Sequence, residues 1–275
     1  MGGISMCPRK SLLTSNMVMP HIFILDATSC SSNAPLQRRY YGDMYNSASE
    51  KGLCKLPPLE EGDSRMTLVL DLDQTLTTVE TSNRIDFKSI GVETFDILDS
   101  YTVAKRPGVD QFLLEMLKYF EIVLLTSSVQ YYADSILNQL PDVFSHRLYR
   151  HHIYDSKNVS ELNRDLNKFV FMDDSEYYLK DNPFNMMCVK EFMAKSVDCA
   201  KDKELEEMAV VLKRIVEKGS VFEEVREWNT TFFKRNGLMP EVLNEMYEKY
   251  KDGYAYWEAV EEEKLHNNND DEPDN

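Results

Sequence analysis

Four carboxylates, one lysine and a threonine stand in this chain where they can do chemistry: Asp71 and Asp73, Thr126, Lys157, Asp173 and Asp174. The first pair is spaced i, i+2 and follows the apolar run Met66-Thr67-Leu68-Val69-Leu70. Thr126 closes a second such run, Glu121-Ile122-Val123-Leu124-Leu125, and Asp173-Asp174 close a third, Lys168-Phe169-Val170-Phe171-Met172. A continuous apolar run reads as a buried parallel strand. In an open α/β sheet, ligands bind beyond the carboxyl ends of the strands. Parallel strand ends emerge on one edge, so these groups and the loop lysine Lys157 can converge there. Taken singly, each has a plainer role as a turn, a helix cap or a surface lysine.

Such a set suits phosphoryl transfer. One carboxylate attacks phosphorus and becomes a covalent aspartyl-phosphate. A second exchanges protons with the leaving group and then with water. A hydroxyl and a lysine hold the equatorial oxygens. Further carboxylates bind Mg2+, which prefers hard oxygen ligands.

The elements that position them follow in order. Residues 77–100 show no helical period, and Asp96 to Val103 reads as strand, so a small β-flap is expected beside the site. Arg106-Pro107-Gly108 opens a helix whose buried face is Val109, Phe112, Leu113, Met116, Leu117 and Phe120. A helix over about 130–140 follows the second strand and stops at Pro141. Arg147 to Arg150 and Ile153-Tyr154 read as short extended pieces. Met186 to Val189 reads as a fourth strand. A helix over 202–216 buries Leu205, Met208, Ala209, Leu212 and Ile215. After Gly219 only helices are expected, near 221–229, 240–250 and 254–265. Strand–helix alternation predicts an α/β fold: a parallel sheet with helices on both faces and right-handed crossovers.

Composition narrows the function. The chain has 275 residues, 43% hydrophobic, with net charge −16. That charge argues against nucleic acid or an anionic membrane surface as partner. Residues 1–60 are nevertheless slightly basic, and no stretch reaches the roughly 20 apolar residues that span a bilayer. The five cysteines form no C-x-x-C pair, so free thiols are expected rather than zinc or disulfides. The His151-His152 pair reads as a loop feature. Residues 1–63 read as an arm and linker, disordered or targeting, whose Arg38-Arg39 resembles a transit-peptide processing region. The domain is placed at 64–218, a helical extension at 219–265 and an acidic, solvated tail at 266–275.

The blocks resemble the haloacid-dehalogenase superfamily, and within it the C-terminal-domain phosphatase homology group of the FCP/SCP type. They are Asp71-Leu72-Asp73-Gln74-Thr75-Leu76, Lys105-Arg106-Pro107-Gly108-Val109, Leu125-Thr126-Ser127-Ser128, Lys157 to Asp165, and Met172-Asp173-Asp174-Ser175. The resemblance implies a HAD-like Rossmannoid sheet and an Mg2+-dependent phosphatase acting on phosphoserine or phosphothreonine. By position, Asp71 is the nucleophile and Asp73 the general acid/base, with its carbonyl on the metal. Thr126 binds the phosphoryl group. Lys157 neutralises phosphate and pairs with Asp173. Asp71, Asp73 and Asp174 hold Mg2+, and Thr75 steadies the first loop. Asp174 stands where the family usually has Asn, Glu176 replaces a common Pro, and Asn158 replaces an Asp.

A second family reading is similar to the mitochondrial import receptor of the TIM-fifty type, built on the same domain. It matches at Leu162-Asn163-Arg164-Asp165, at Glu121 to Ser128 and at the Pro57-Pro58 lead-in. It implies a binding protein for basic presequences, with translocase subunits as partners, rather than a phosphoprotein hydrolase. The compartment stays open between nucleus or cytoplasm and mitochondrion.

Overall fold

The computed structural model describes residues 55–79, 87–153, 156–194 and 197–237, together with Leu243, Tyr247 and Glu248. The expected N-terminal arm up to residue 54, most of the helix at 240–250, the helix at 254–265 and the acidic tail lie outside them.

In chain order the strands and helices are β1 (Met66–Leu70), β2 (Thr77–Val79), α1 (Phe87–Ile90), β3 (Thr94–Ile97), β4 (Tyr101–Lys105), α2 (Val109–Met116), β5 (Phe120–Leu125), α3 (Gln130–Leu137), β6 (Phe144–Leu148), β7 (Phe169–Asp173), β8 (Met186–Cys188), α4 (Glu204–Lys218) and α5 (Phe222–Arg235). The three apolar runs become β1, β5 and β7, and every residue in them is buried. Full burial means that both faces of the sheet centre are covered, which is why these strands carry no alternation.

The main sheet is parallel, in the order β6-β5-β1-β7-β8. From β1 the chain moves out through β5 to β6, then returns to the other side of β1 for β7 and β8. The winding therefore reverses at β1, and the crevice beyond its carboxyl end is the topological switch point.

The expected flap is a second, antiparallel sheet, β2-β4-β3. The stretch 96–103, read as one strand, is two. The chain doubles back at Leu98 and Asp99, both left-handed with φ of 50° and 54°. No glycine marks this turn, and β-pattern alone does not reveal it. The extended reading of 147–150 holds for Arg147 and Leu148, which lie in β6, and for Tyr149, and fails only at Arg150. β6 starts at Phe144, and Arg150–His152 is a turn of 3-10 helix. The backbone N–H of the extended Tyr149 donates to Nδ1 of His152 at 3.0 Å, a local bond that closes this turn.

α4 buries the apolar face that its periodicity predicts and stops at Gly219, whose left-handed φ of 67° a side chain would strain. α5 continues past residue 229 to Arg235 because Trp228, Asn229, Phe232 and Phe233 are all buried. Its contact is with the edge strand β8. The Asn229 amide donates to Met186 O at 2.8 Å and its oxygen accepts from Cys188 N–H at 3.0 Å. Trp228 Nε1 donates to Cys188 O at 2.8 Å. These side chains satisfy strand groups that would otherwise template another strand.

A buried network braces the sheet. Glu121 accepts from Arg164 Nε and Nη2 at 2.8 and 2.7 Å and from Thr67 Oγ1 at 2.9 Å, and His146 Nε2 lies 3.3 Å away. Arg164 also donates to Pro57 O at 2.7 Å, and Leu56 N–H donates to Leu162 O at 3.1 Å. The Pro-Pro segment is thus pinned to the domain at Leu56, which is 2% exposed.

Candidate active site

The switch-point crevice gathers four of the expected residues. Asp71 directly follows β1 and is fixed by its N–H, which donates to Met172 O at 3.0 Å on the neighbouring strand. Asp173 ends β7, and Asp174 follows it. Lys157 reaches in from the segment between β6 and β7. Its Nζ donates to Asp71 Oδ1 and to Asp173 Oδ2, each at 2.6 Å, and it is 2% exposed. Asp71, Asp173 and Asp174 each offer an oxygen within 4.8 Å of the others.

Lys157 is positioned by Asn182, which donates to Lys157 O at 2.8 Å and accepts from Val159 N–H at 2.9 Å. The Tyr178 ring lies 4.9 Å from the ammonium. Thr75 is fully buried, and its hydroxyl reaches Asp174 Oδ1 at 3.4 Å, so it bears on the carboxylate set as well as on its own loop.

Thr126 is buried at the end of β5, where its N–H donates to Leu148 O at 2.9 Å. Its Oγ1 accepts from Ser128 N–H at 3.1 Å. Asp73 lies differently. Its carboxylate is not one of the three that converge, and it is held by two hydroxyls: Ser128 Oγ on Oδ2 at 2.6 Å and Tyr132 on Oδ1 at 2.7 Å. Ser128 and Tyr132 went unassigned in the sequence, although Ser128 sits in the quoted Thr126-Ser127-Ser128 block. The signal was their i, i+4 spacing across the start of α3, just past a strand end.

Arg106, quoted above only as part of a motif, is fully buried beneath the first loop. It donates to Thr75 O at 3.0 Å, to Lys190 O at 2.8 Å and to both oxygens of Asp202 at 2.9 and 3.0 Å. Gln74 adopts a left-handed φ of 64°. Its backbone donates to Thr77 O at 2.6 Å and accepts from Phe192 N–H at 2.8 Å. Strained backbone of this kind persists where surrounding contacts over-determine it.

The charges are unevenly balanced. Burial by itself would lower Lys157, but the carboxylates of Asp71 and Asp173 outweigh it and hold its proton tightly. Burial pushes Asp173 up to about 7 against the pull of Lys157. Burial, then the charges of Asp71 and Asp173, push Asp174 up to about 8. Burial likewise raises Asp73, with the Ser128 and Tyr132 hydroxyls pulling the other way. A hydroxyl can donate to a carboxylate or accept from a carboxylic acid. The Asp73 cage therefore tolerates either state, which an arginine or lysine partner would not.

Three clustered carboxylates facing one ammonium fit a divalent cation with hard oxygen preference. The carboxylates present are Asp71, Asp173 and Asp174, whereas the sequence set named Asp71, Asp73 and Asp174, with Asp73 contributing its carbonyl. Asp173 thus lies within reach of the same position a cation would take.

Comparison with known proteins gives the relationship. The family model for NIF, NLI interacting factor-like phosphatase, matches residues 66–226. Phosphatase PSR1 of Saccharomyces cerevisiae is 35% identical over 149 residues, covering 50% of this chain and 33% of that one. Carboxy-terminal domain RNA polymerase II polypeptide A small phosphatase 2 of Mus musculus is 36% identical over 157 residues, 54% of this chain and 58% of that one. Small phosphatase 1 of the same description from Homo sapiens is 31% identical over 182 residues, 62% of this chain and 68% of that one. The match therefore spans a third to two thirds of each of these relatives. Because the family match takes in β1, both sheets and every residue of the crevice, the chain belongs to the NLI interacting factor-like phosphatase family.

Proposed function

We propose that the chain is an Mg2+-dependent protein phosphatase that hydrolyses phosphoserine or phosphothreonine through an aspartyl-phosphate on Asp71. The observation that carries this reading is the gathering of Asp71, Asp173 and Asp174 at the switch point of the sheet, the first two bonded to the sealed ammonium of Lys157. The family membership supports it.

In the first step an Asp71 oxygen bonds to phosphorus while the bond from phosphorus to the serine oxygen breaks. Asp73 gives its proton to that departing oxygen. In the second step water attacks phosphorus, Asp73 takes its proton, and the phosphorus–Asp71 bond breaks to release phosphate. Lys157 and Thr126 hold the phosphoryl oxygens through both steps. Asp71, Asp174 and the carbonyl of Asp73 would hold Mg2+, with Asp173 beside them, and the bound ion supplies positive charge where phosphoryl charge collects. Asp174, in place of the usual Asn, keeps an oxygen donor and adds a negative charge to that shell. The import-receptor reading draws nothing from the relatives described above, which are all named as phosphatases.

The test is phosphate release from an aryl phosphate, with Mg2+ or with EDTA, by wild type and Asp71→Asn. Turnover is expected only in wild type with Mg2+. Equal turnover by Asp71→Asn would remove the mechanism.

A further inference from the structure

We infer that Tyr132 and Ser128 are positioning residues that fix the plane of the Asp73 carboxyl for proton transfer. The inference rests on the phosphatase reading. The terminal torsion of an aspartate is broad and roughly two-fold, so one hydrogen bond leaves the carboxyl free to turn. Asp73 has two, one on each oxygen, at 2.6 and 2.7 Å.

The two donors lie four positions apart, on the loop after β5 and in the first turn of α3. Ser128 belongs to the loop after β5, where its N–H donates to Thr126 Oγ1 at 3.1 Å and its carbonyl accepts from Arg150 N–H at 3.0 Å. Tyr132 stands in the first turn of α3, which spans Gln130–Leu137. A rotation of the carboxyl must therefore break both bonds at once. The same Ser128 N–H also ties down Thr126, so one loop sets both the phosphoryl contact and the acid/base group.

A plainer role is possible for such a pair: any two hydroxyls satisfy a half-buried carboxylate. The two roles differ in what they do to the chemistry. Departure of a serine alkoxide needs a proton in flight, whereas an aryloxide leaves without one. Loss of orientation must therefore slow the first step on phosphoserine and spare it on aryl phosphate. A merely structural pair affects both alike.

The experiment measures leaving-group release in the first turnover with Mg2+, using a phosphoserine peptide and an aryl phosphate. Wild type, Tyr132→Phe, Ser128→Ala and Ser128→Thr are compared, with thermal midpoints alongside. We expect Tyr132→Phe and Ser128→Ala to slow peptide release by about 10- to 100-fold, with aryl release changed by less than about 3-fold. Ser128→Thr, which keeps the hydroxyl, should recover most of the peptide rate. Equal slowing on both substrates, or no slowing on either, overturns the inference while the phosphatase reading stands. Wild type with no release from either substrate removes that reading, and the inference with it. If Tyr132→Phe does not fold, the Ser128 pair decides.

Discussion

The ammonium of Lys157 lies 2.6 Å from Oδ2 of Asp173, and both side chains are sealed from solvent. Removing one partner of a buried ion pair costs about 3–5 kcal/mol, because the other charge stays behind. Lys157→Met leaves three carboxylates with no cation. Its thermal midpoint in EDTA should fall well below wild type, and Mg2+ should restore part of the loss by supplying the missing charge. Turnover should not return. A midpoint in EDTA equal to wild type would contradict this account of the site.

Arg106 supplies a planar fork to Asp202 and reaches two carbonyls on separate loops. Lysine carries the charge without the fork. Arg106→Lys should lower stability in urea unfolding by about 2–4 kcal/mol, since buried groups lose their donors. It should also lower turnover, because Thr75 O and the first loop lose their support. A urea midpoint within error of wild type would show that the fork is dispensable.

Acid should loosen the domain in two stages. Burial, and then the neighbouring His151, lower His152 to about 4, and its Nδ1 already accepts from Tyr149 N–H. Its neutral form is the one the fold prefers, so this contribution is present above its ordinary value of about 6.5 and is lost as pH falls through about 4. Burial would raise Glu121, but hydrogen bonds from Arg164 and His146 prevail and bring it to about 2. Its contribution is present above the ordinary carboxylate range and is lost as pH falls toward 2. Thermal midpoints of wild type, His152→Gln and Glu121→Gln across pH 2–7 would separate the stages. His152→Gln should flatten the upper one and Glu121→Gln the lower. Parallel curves for all three would reject both assignments.

Asn229 replaces two strand partners on β8 with one side chain. Asn229→Leu keeps the volume and removes the bonds, leaving Met186 O and Cys188 N–H buried and unpaired. The expected cost is about 2–5 kcal/mol, read from urea unfolding, with self-association as a second readout. An unchanged unfolding midpoint would mean that those strand groups find other partners.

The central sheet was legible because β1, β5 and β7 are buried on both faces and so read as unbroken apolar runs. The carboxylates were legible because each stands at the end of such a run. The turn at Leu98-Asp99 was not, since it uses left-handed backbone without glycine. The length of α5 was hidden for a related reason. Its buried Asn229 faces strand backbone rather than apolar side chains, so it breaks the hydrophobic period where the helix is most deeply engaged. Arg106 looked like a helix-opening residue, and nothing in its neighbours announced Asp202, nearly a hundred positions on. Ser128 and Tyr132 act on a carboxyl more than fifty positions away, a pairing that only the folded chain brings about.

The left-handed Gln74 has a consequence for motion. Its carbonyl is bonded to Phe192, Arg106 joins Thr75 to Lys190, and Leu72 O accepts from both Leu76 and Thr77 at 2.9 and 3.2 Å. The loop that carries both aspartates is therefore tied to Met172 at Asp71 and, through Gln74 and Thr75, to Phe192 and Arg106. In deuterated water the amide hydrogens of Leu76 and Thr77 should be replaced only when the whole domain unfolds, at the slowest rate in the molecule. The floor of the crevice then behaves as part of the core, and any breathing that opens it falls to the walls around it.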